Sequence, residues 1–135
     1  MTSNNDDLVR EWYRFALTDY AAAKHLSETM HPKPLEIICY HCQQSAEKML
    51  KGFLISNSIE APKTHDLQQL RKMCLNIDCN FETLKGMCTD LNPYGVQPRY
   101  PNEIEVFETD VENALRNIQK MIDFFEGQGI SVTKP

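Results

Sequence analysis

The sequence predicts an all-α protein: an antiparallel, up-down helical bundle of about five helices, three long and two short. Apolar residues recur at three- and four-residue steps over three long stretches, the spacing that places them along one side of a helix. No stretch sustains the period-two alternation of a half-buried strand. Five of the seven prolines fall in two clusters, Pro32 with Pro34 and then Pro93, Pro98 and Pro101, and none interrupts a strong helical pattern.

The first helix is expected from about Asp6 to Met30. Asn5 is placed to cap it, and Asp6 and Asp7 suit its positive N-terminal end. Its apolar stripe reads Leu8, Trp12, Phe15, Ala16, Ala22, Ala23, Leu26 and Met30. The second runs from about Pro34 to Asn57, with proline tolerated in the first turn. Leu35, Ile38, Cys39, Cys42, Ala46, Met49, Leu50 and Phe53 form its inner face. A shorter helix follows from about His65 to Leu75, capped by Thr64, and Asn80 caps another over Phe81, Leu84, Cys88 and Leu91. The last long helix spans about Glu103 to Glu126, lined by Ile104, Phe107, Val111, Ala114, Leu115, Ile118, Ile122 and Phe125, and Gly127 stops it. One long irregular segment remains, residues 92–102, and long loops in small domains tend to carry function.

At 135 residues and 41% hydrophobic content the chain suits one domain, with a core over about 6–126 and polar tails. The formal net charge of −5 argues against general coating of nucleic acid, which depends on phosphate neutralisation. No apolar run approaches the length of a membrane span, so no membrane association is expected. The acidic, polar start lacks the features of a secretory signal, so the expected location is the cytoplasm. The five cysteines are odd in number and argue against a disulfide framework.

Four motifs stand in order along the chain. Trp12, Ala16, Asp19 and Ala22 mark the first helix. The run from Cys39 through His41, Gln43, Gln44, Ala46, Glu47, Lys48 and Leu50 to Lys51 reads close to "HxxQQAxEKxLKA". Thr64-His65-Asp66-Leu67 gives "THDL", and Arg99-Tyr100-Pro101 gives "RYP". Together they resemble the HEPN domain family over nearly the whole chain, from about Leu8 to Phe125. The resemblance implies a five-helix bundle that often forms homodimers. It also implies pairing with a minimal nucleotidyltransferase protein, in some cases as a toxin–antitoxin system. Some members are ribonucleases whose motif is an arginine, four to six residues, then a histidine. Here the arginines are Arg10, Arg14, Arg71, Arg99 and Arg116, the histidines are His25, His31, His41 and His65, and no pair has that spacing. The expected function is therefore a helical module that binds a nucleotide, a nucleotidyltransferase partner, or both. The alternative is a divergent ribonuclease using His41 or His65 with Arg99.

The residues themselves supply the candidate site. Asp19 sits near the middle of the stripe made by Leu8, Trp12, Phe15, Ala23 and Leu26, where a carboxylate needs a partner. It reads either as a structural acceptor or as a site carboxylate, with His65 and Arg99 as candidate partners. His41, Gln44 and Lys48 share one helical face that points away from the apolar stripe, and they offer donors for phosphate or carboxylate oxygens. With Ile37 and Ser45 that face is poor in charge, the mark of an interface core, so it is also a candidate dimer contact. His65 can act as donor or base. Arg99, with Tyr100 beside it, either grips a phosphate or pairs with an acid to pin the loop. Cys39 and Cys42 form a C-x-x-C, but both fall on the inner face and no second half completes four ligands, so buried thiols and no metal are expected. No glycine-rich phosphate loop is present, and no cofactor is expected.

Overall fold

Five α-helices and two short 3-10 helices follow one another in the computed structural model, which describes residues 3–95 and 105–133 and, at Ser3 and Asn4, the backbone alone. The α-helices are α1 (Ser3–Thr29), α2 (Leu35–Ser56), α3 (Leu67–Leu75), α4 (Lys85–Leu91) and α5 (Glu108–Gly127). Single 3-10 segments lie before α4 (Cys79–Leu84) and after it (Asn92–Tyr94). No strand occurs among the described residues. This is the all-α bundle the periodicity predicts. None of its helices is long and apolar enough to cross a membrane.

Helix α2 is the central element and packs against all four other α-helices. Its expected inner face is almost wholly buried: Ile38, Cys39, Cys42, Ala46, Met49 and Leu50 are fully covered and Phe53 nearly so. Each such large side chain contributes about 1.5–3 kcal/mol on burial. Phe53 stacks on Phe81 at 4.4 Å, and Phe81 meets Phe125 edge-on at 5.7 Å, which ties α2 to the 3-10 segment and to α5. Gln43, Ser45, Glu47 and Lys51 are buried as well, so α2 is enclosed on its polar side too. At Gly52 a Cβ would lie 2.6 Å from the Tyr13 ring, so glycine there lets α1 and α2 approach closely.

The phase of α1 differs from expectation. Its buried residues are Tyr13, Ala16 and Ala23, flanked by partly buried Val9, Leu17 and Tyr20. Leu8, Phe15 and Met30 instead remain 49%, 45% and 49% exposed. Two apolar stripes with the same three-four spacing run one residue apart along this helix. Centring the first on the core would bury Asp19, whereas the observed rotation leaves Asp19 at the edge, where donors reach it.

Several helix ends also move. Asp66, not Thr64, caps α3, accepting from the backbone N–H groups of Gln68 and Gln69, while the Thr64 hydroxyl accepts from Asp66 N–H. Asp78, not Asn80, caps the next segment, accepting from Asn80 N–H at 2.9 Å. In both places an aspartate two residues from the expected cap supplies a charged acceptor, which makes a stronger hydrogen bond than a neutral hydroxyl or amide. Asn5 lies inside α1, and its amide donates to Ile55 O at 3.3 Å. Helix α5 starts at Glu108 rather than near Glu103, with the Asp110 carboxylate accepting from Phe107 N–H at 2.8 Å. Phe107 is thereby exposed, and Ile104 lies outside the described residues. At the far end Gly127 is still helical, and Gly129, at φ 80°, makes the left-handed turn.

Candidate functional site

The polar side of α2 carries two carboxylate–histidine pairs. At the first, the Asp19 side chain, 13% exposed, accepts from Lys48 Nζ at 2.5 Å and lies 2.9 Å from His41 Nδ1. Asp19 is therefore desolvated and doubly partnered, but its partners among the described residues are His41 and Lys48, not His65. The same contacts revise the outer face of α2. His41, Ser45 and Lys48 turn onto α1: besides the two contacts to Asp19, the Ser45 hydroxyl donates to Ala16 O at 2.7 Å. Of the residues expected on an outward face, Ile37 alone stays substantially exposed.

At the second, Glu47 is 5% exposed and accepts from Lys51 Nζ at 2.9 Å through one oxygen. Its other oxygen lies 2.9 Å from His65 Nδ1. The His65 imidazole is otherwise 69% exposed. Fully buried Gln43 donates to the His65 backbone carbonyl at 2.9 Å, so His65 is held at ring and backbone by α2. Gln44 lies between the two pairs, donating to Gln43 Oε1 at 2.8 Å and, more weakly, to Glu47 at 3.4 Å. Lys51 is read from the sequence only as the edge of the His41–Gln44–Lys48 face, and Glu47 and Gln43 are missed as site residues. Their signal was there: with Lys51 they stand at i, i+4 and i+8, a polar line along a helix whose inner face is apolar.

Asn92 fixes the approach to this region. Its Oδ1 accepts from Leu67 N–H at 2.9 Å and its amide donates to Asp66 Oδ1 at 3.2 Å. Burial works to raise the Asp66 carboxyl, but the Asn92 amide and the α3 backbone N–H groups outweigh it and hold it below the usual carboxylate range. Three residues on, a Cβ at Gly95 would stand 3.0 Å from Gln43 Nε2, so the chain leaves for residues 96–104 directly against the Gln43–His65 cluster. Arg99 and Tyr100 lie outside the described residues.

Neither lysine offers an unpaired positive charge, since Lys48 is matched by Asp19 and Lys51 by Glu47. What remains directed outward is imidazole and amide. A neutral histidine that donates Nδ1–H to a carboxylate presents the Nε2 lone pair, and a protonated one presents a second N–H. The edge can therefore accept a proton or donate a hydrogen bond. Cys39 and Cys42 are buried on the inner face, and burial pushes the Cys39 thiol up to about 12 and the Cys42 thiol higher.

The family model of the HEPN domain matches residues 9–128. The chain belongs to the HEPN domain family. No curated protein and no solved structure matches it. In this HEPN domain the "HxxQQAxEKxLKA" run is α2 itself, and "THDL" is the turn that brings His65 to Glu47 and caps α3 through Asp66.

Proposed function

We propose that this HEPN domain binds a nucleotide along the α2 edge, either free or carried by a nucleotidyltransferase partner. The observation that carries the reading is the pair of histidines on the polar side of α2, each with Nδ1 held by a desolvated carboxylate, His65 with 69% of its side chain exposed and His41 with 29%. Orienting an exposed side chain with buried polar groups does little for the fold, and it lowers the entropy lost when a ligand is gripped. In this reading the imidazoles and the Gln44 amide meet phosphate or base, and Arg99 and Tyr100 of the "RYP" motif add a guanidinium and an aromatic ring to the same ligand. Titration with ATP, followed by the ring signals of the four histidines, tests it. Saturable shifts at His41 and His65, absent at exposed His25 and His31 and weakened in Glu47→Gln, are expected. Uniform or unsaturable shifts would sink the reading.

A second reading, a divergent ribonuclease, is favoured by one feature. Glu47 behind His65 is the arrangement of an oriented general base, able to take the proton of a ribose hydroxyl through Nε2. Incubation with total RNA separates the two. Binding without cleavage is expected; cleavage abolished by both His65→Ala and Arg99→Ala would favour the enzyme.

A further inference from the structure

Away from the histidine edge, where α1 begins and α2 ends, the surface holds a cleft of about 590 Å³. That lies in the range of small-molecule sites. Its walls are apolar, formed by Leu8 and Trp12 of α1, Ile55 of α2 and Ile59 beyond it. None of these residues belongs to the Asp19–His41 or Glu47–His65 pairs. Three polar side chains line the cleft, Asn5, Ser58 and Glu60; the Asn5 amide donates to Ile55 O, and Ser58 and Glu60 set the chemistry offered to a ligand. Glu60 is the only ionisable residue of the lining, and it forms no ion pair among the described residues.

Ser58 is the second observation. It closes α2 in the left-handed region, at φ 62°, with its N–H on Ile55 O at 3.0 Å and the next N–H, from Ile59, on Leu54 O at 2.9 Å. That is the Schellman closure, whose left-handed position favours glycine. A serine there places a hydroxyl at the cleft at the expense of backbone comfort.

The geometry points to a binding site for a small hydrophobic primary amine. Its apolar body lies between Leu8, Trp12, Ile55 and Ile59, and its ammonium group is bound by the Glu60 carboxylate and the Ser58 hydroxyl. An aromatic wall beside an unpaired carboxylate suits a cation twice over, by charge and by the ring's quadrupole. Lys51 Nζ stands 5.8 Å from the Trp12 ring, but Glu47 already balances its charge, so it does not oppose a cation in the cleft.

Trp12 is the sole tryptophan, so its emission reports occupancy directly. The full-length protein is titrated with phenylbutylamine and with its near-isosteres phenylbutanol and phenylbutyrate. The amine is expected to give a saturable change, with the alcohol and the acid at least roughly tenfold weaker. Glu60→Gln is expected to reduce the amine to the alcohol's affinity. Ser58→Gly is expected to melt higher than the parent yet bind the amine less tightly, a combination that a purely structural serine would not give. Equal binding of amine and acid, no saturable change with the amine, or unchanged affinity in Glu60→Gln overturns the site. Unchanged affinity in Ser58→Gly overturns the role of the hydroxyl.

Discussion

Glu47 and Lys51 face each other at 2.9 Å with 5% and 9% of their side chains exposed. A buried ion pair adds little net stability when formed, because desolvation opposes the attraction, but removing one partner strands the other. Glu47→Ala is therefore expected to destabilise the fold by about 3–5 kcal/mol, read from the midpoint of urea unfolding. Asp19→Ala should lose less, about 1–3 kcal/mol, because the Lys48 and His41 it leaves unpaired are partly exposed and can reach water. If the two substitutions prove equal, burial is not what separates these pairs. Asp66 adds a pH dependence. Its folded carboxyl sits below the ordinary value of 3.8, so its contribution is present above that value and is lost as pH falls through the lower folded value. Asp66→Ala should remove about 1 kcal/mol at neutral pH, as loss of a helix cap does, and progressively less in acid below pH 3.8. A difference between parent and variant that stays constant down to pH 2–3 (about the acid limit of such titrations) would show that the cap does not depend on the charge.

At the scale of elements, close approach and chain reversal decide more than hydrophobic count. Gly52→Ala should destabilise by about 1–3 kcal/mol, net of alanine's better helix propensity, because the added methyl meets the Tyr13 ring at 2.6 Å and the two helices must part. Ser58→Gly should stabilise by about 0.5–1 kcal/mol, by relieving a left-handed residue that carries a side chain. Thermal melts of both variants check the signs. These two positions also show where the sequence was readable. The stripe of α2 from Ile38 to Phe53 was legible because it has only one apolar solution. The α1 helix was legible as a helix but not in phase, because Val9–Tyr13–Ala16–Tyr20 and Leu8–Trp12–Phe15–Ala22 satisfy the same periodicity. Only the carboxylate of Asp19, in line with the second set, breaks the tie. The site was half legible for the same reason. His41, Lys48 and His65 stood out as polar residues. So did Asp19, though not its pairing with His41 and Lys48; Glu47 did not, since its pairing with His65 depends on how the turn before α3 folds back over α2.

For the whole molecule, the rotation of α1 leaves a line of apolar side chains outside the core. Leu8, Phe15 and Met30 are about half exposed, and Ile37 at the start of α2 is 45% exposed. From Leu8 to Met30 the line is about 33 Å long at the α-helical rise. Exposed apolar side chains set among polar ones mark association, and here they are flanked by Arg14, whose guanidinium lies 4.6 Å from the Phe15 ring, and by the Asp19–His41 pair. The α2 face that looked outward in the sequence is largely turned onto α1, so this stripe, continued by Ile37, is the better candidate for a homodimer contact. A two-fold axis across it would bring each Asp19–His41 pair towards its copy, because Asp19 lies in line with Phe15 and Ala22. The expected outcome is a mass about twice 15.6 kDa by light scattering coupled to gel filtration at micromolar concentration. Phe15→Glu should halve that mass while leaving the helical circular dichroism intact, since Phe15 is outside the core. A parent mass near 15.6 kDa would remove the dimer, and a dimer that persists in Phe15→Glu would move the contact to another face.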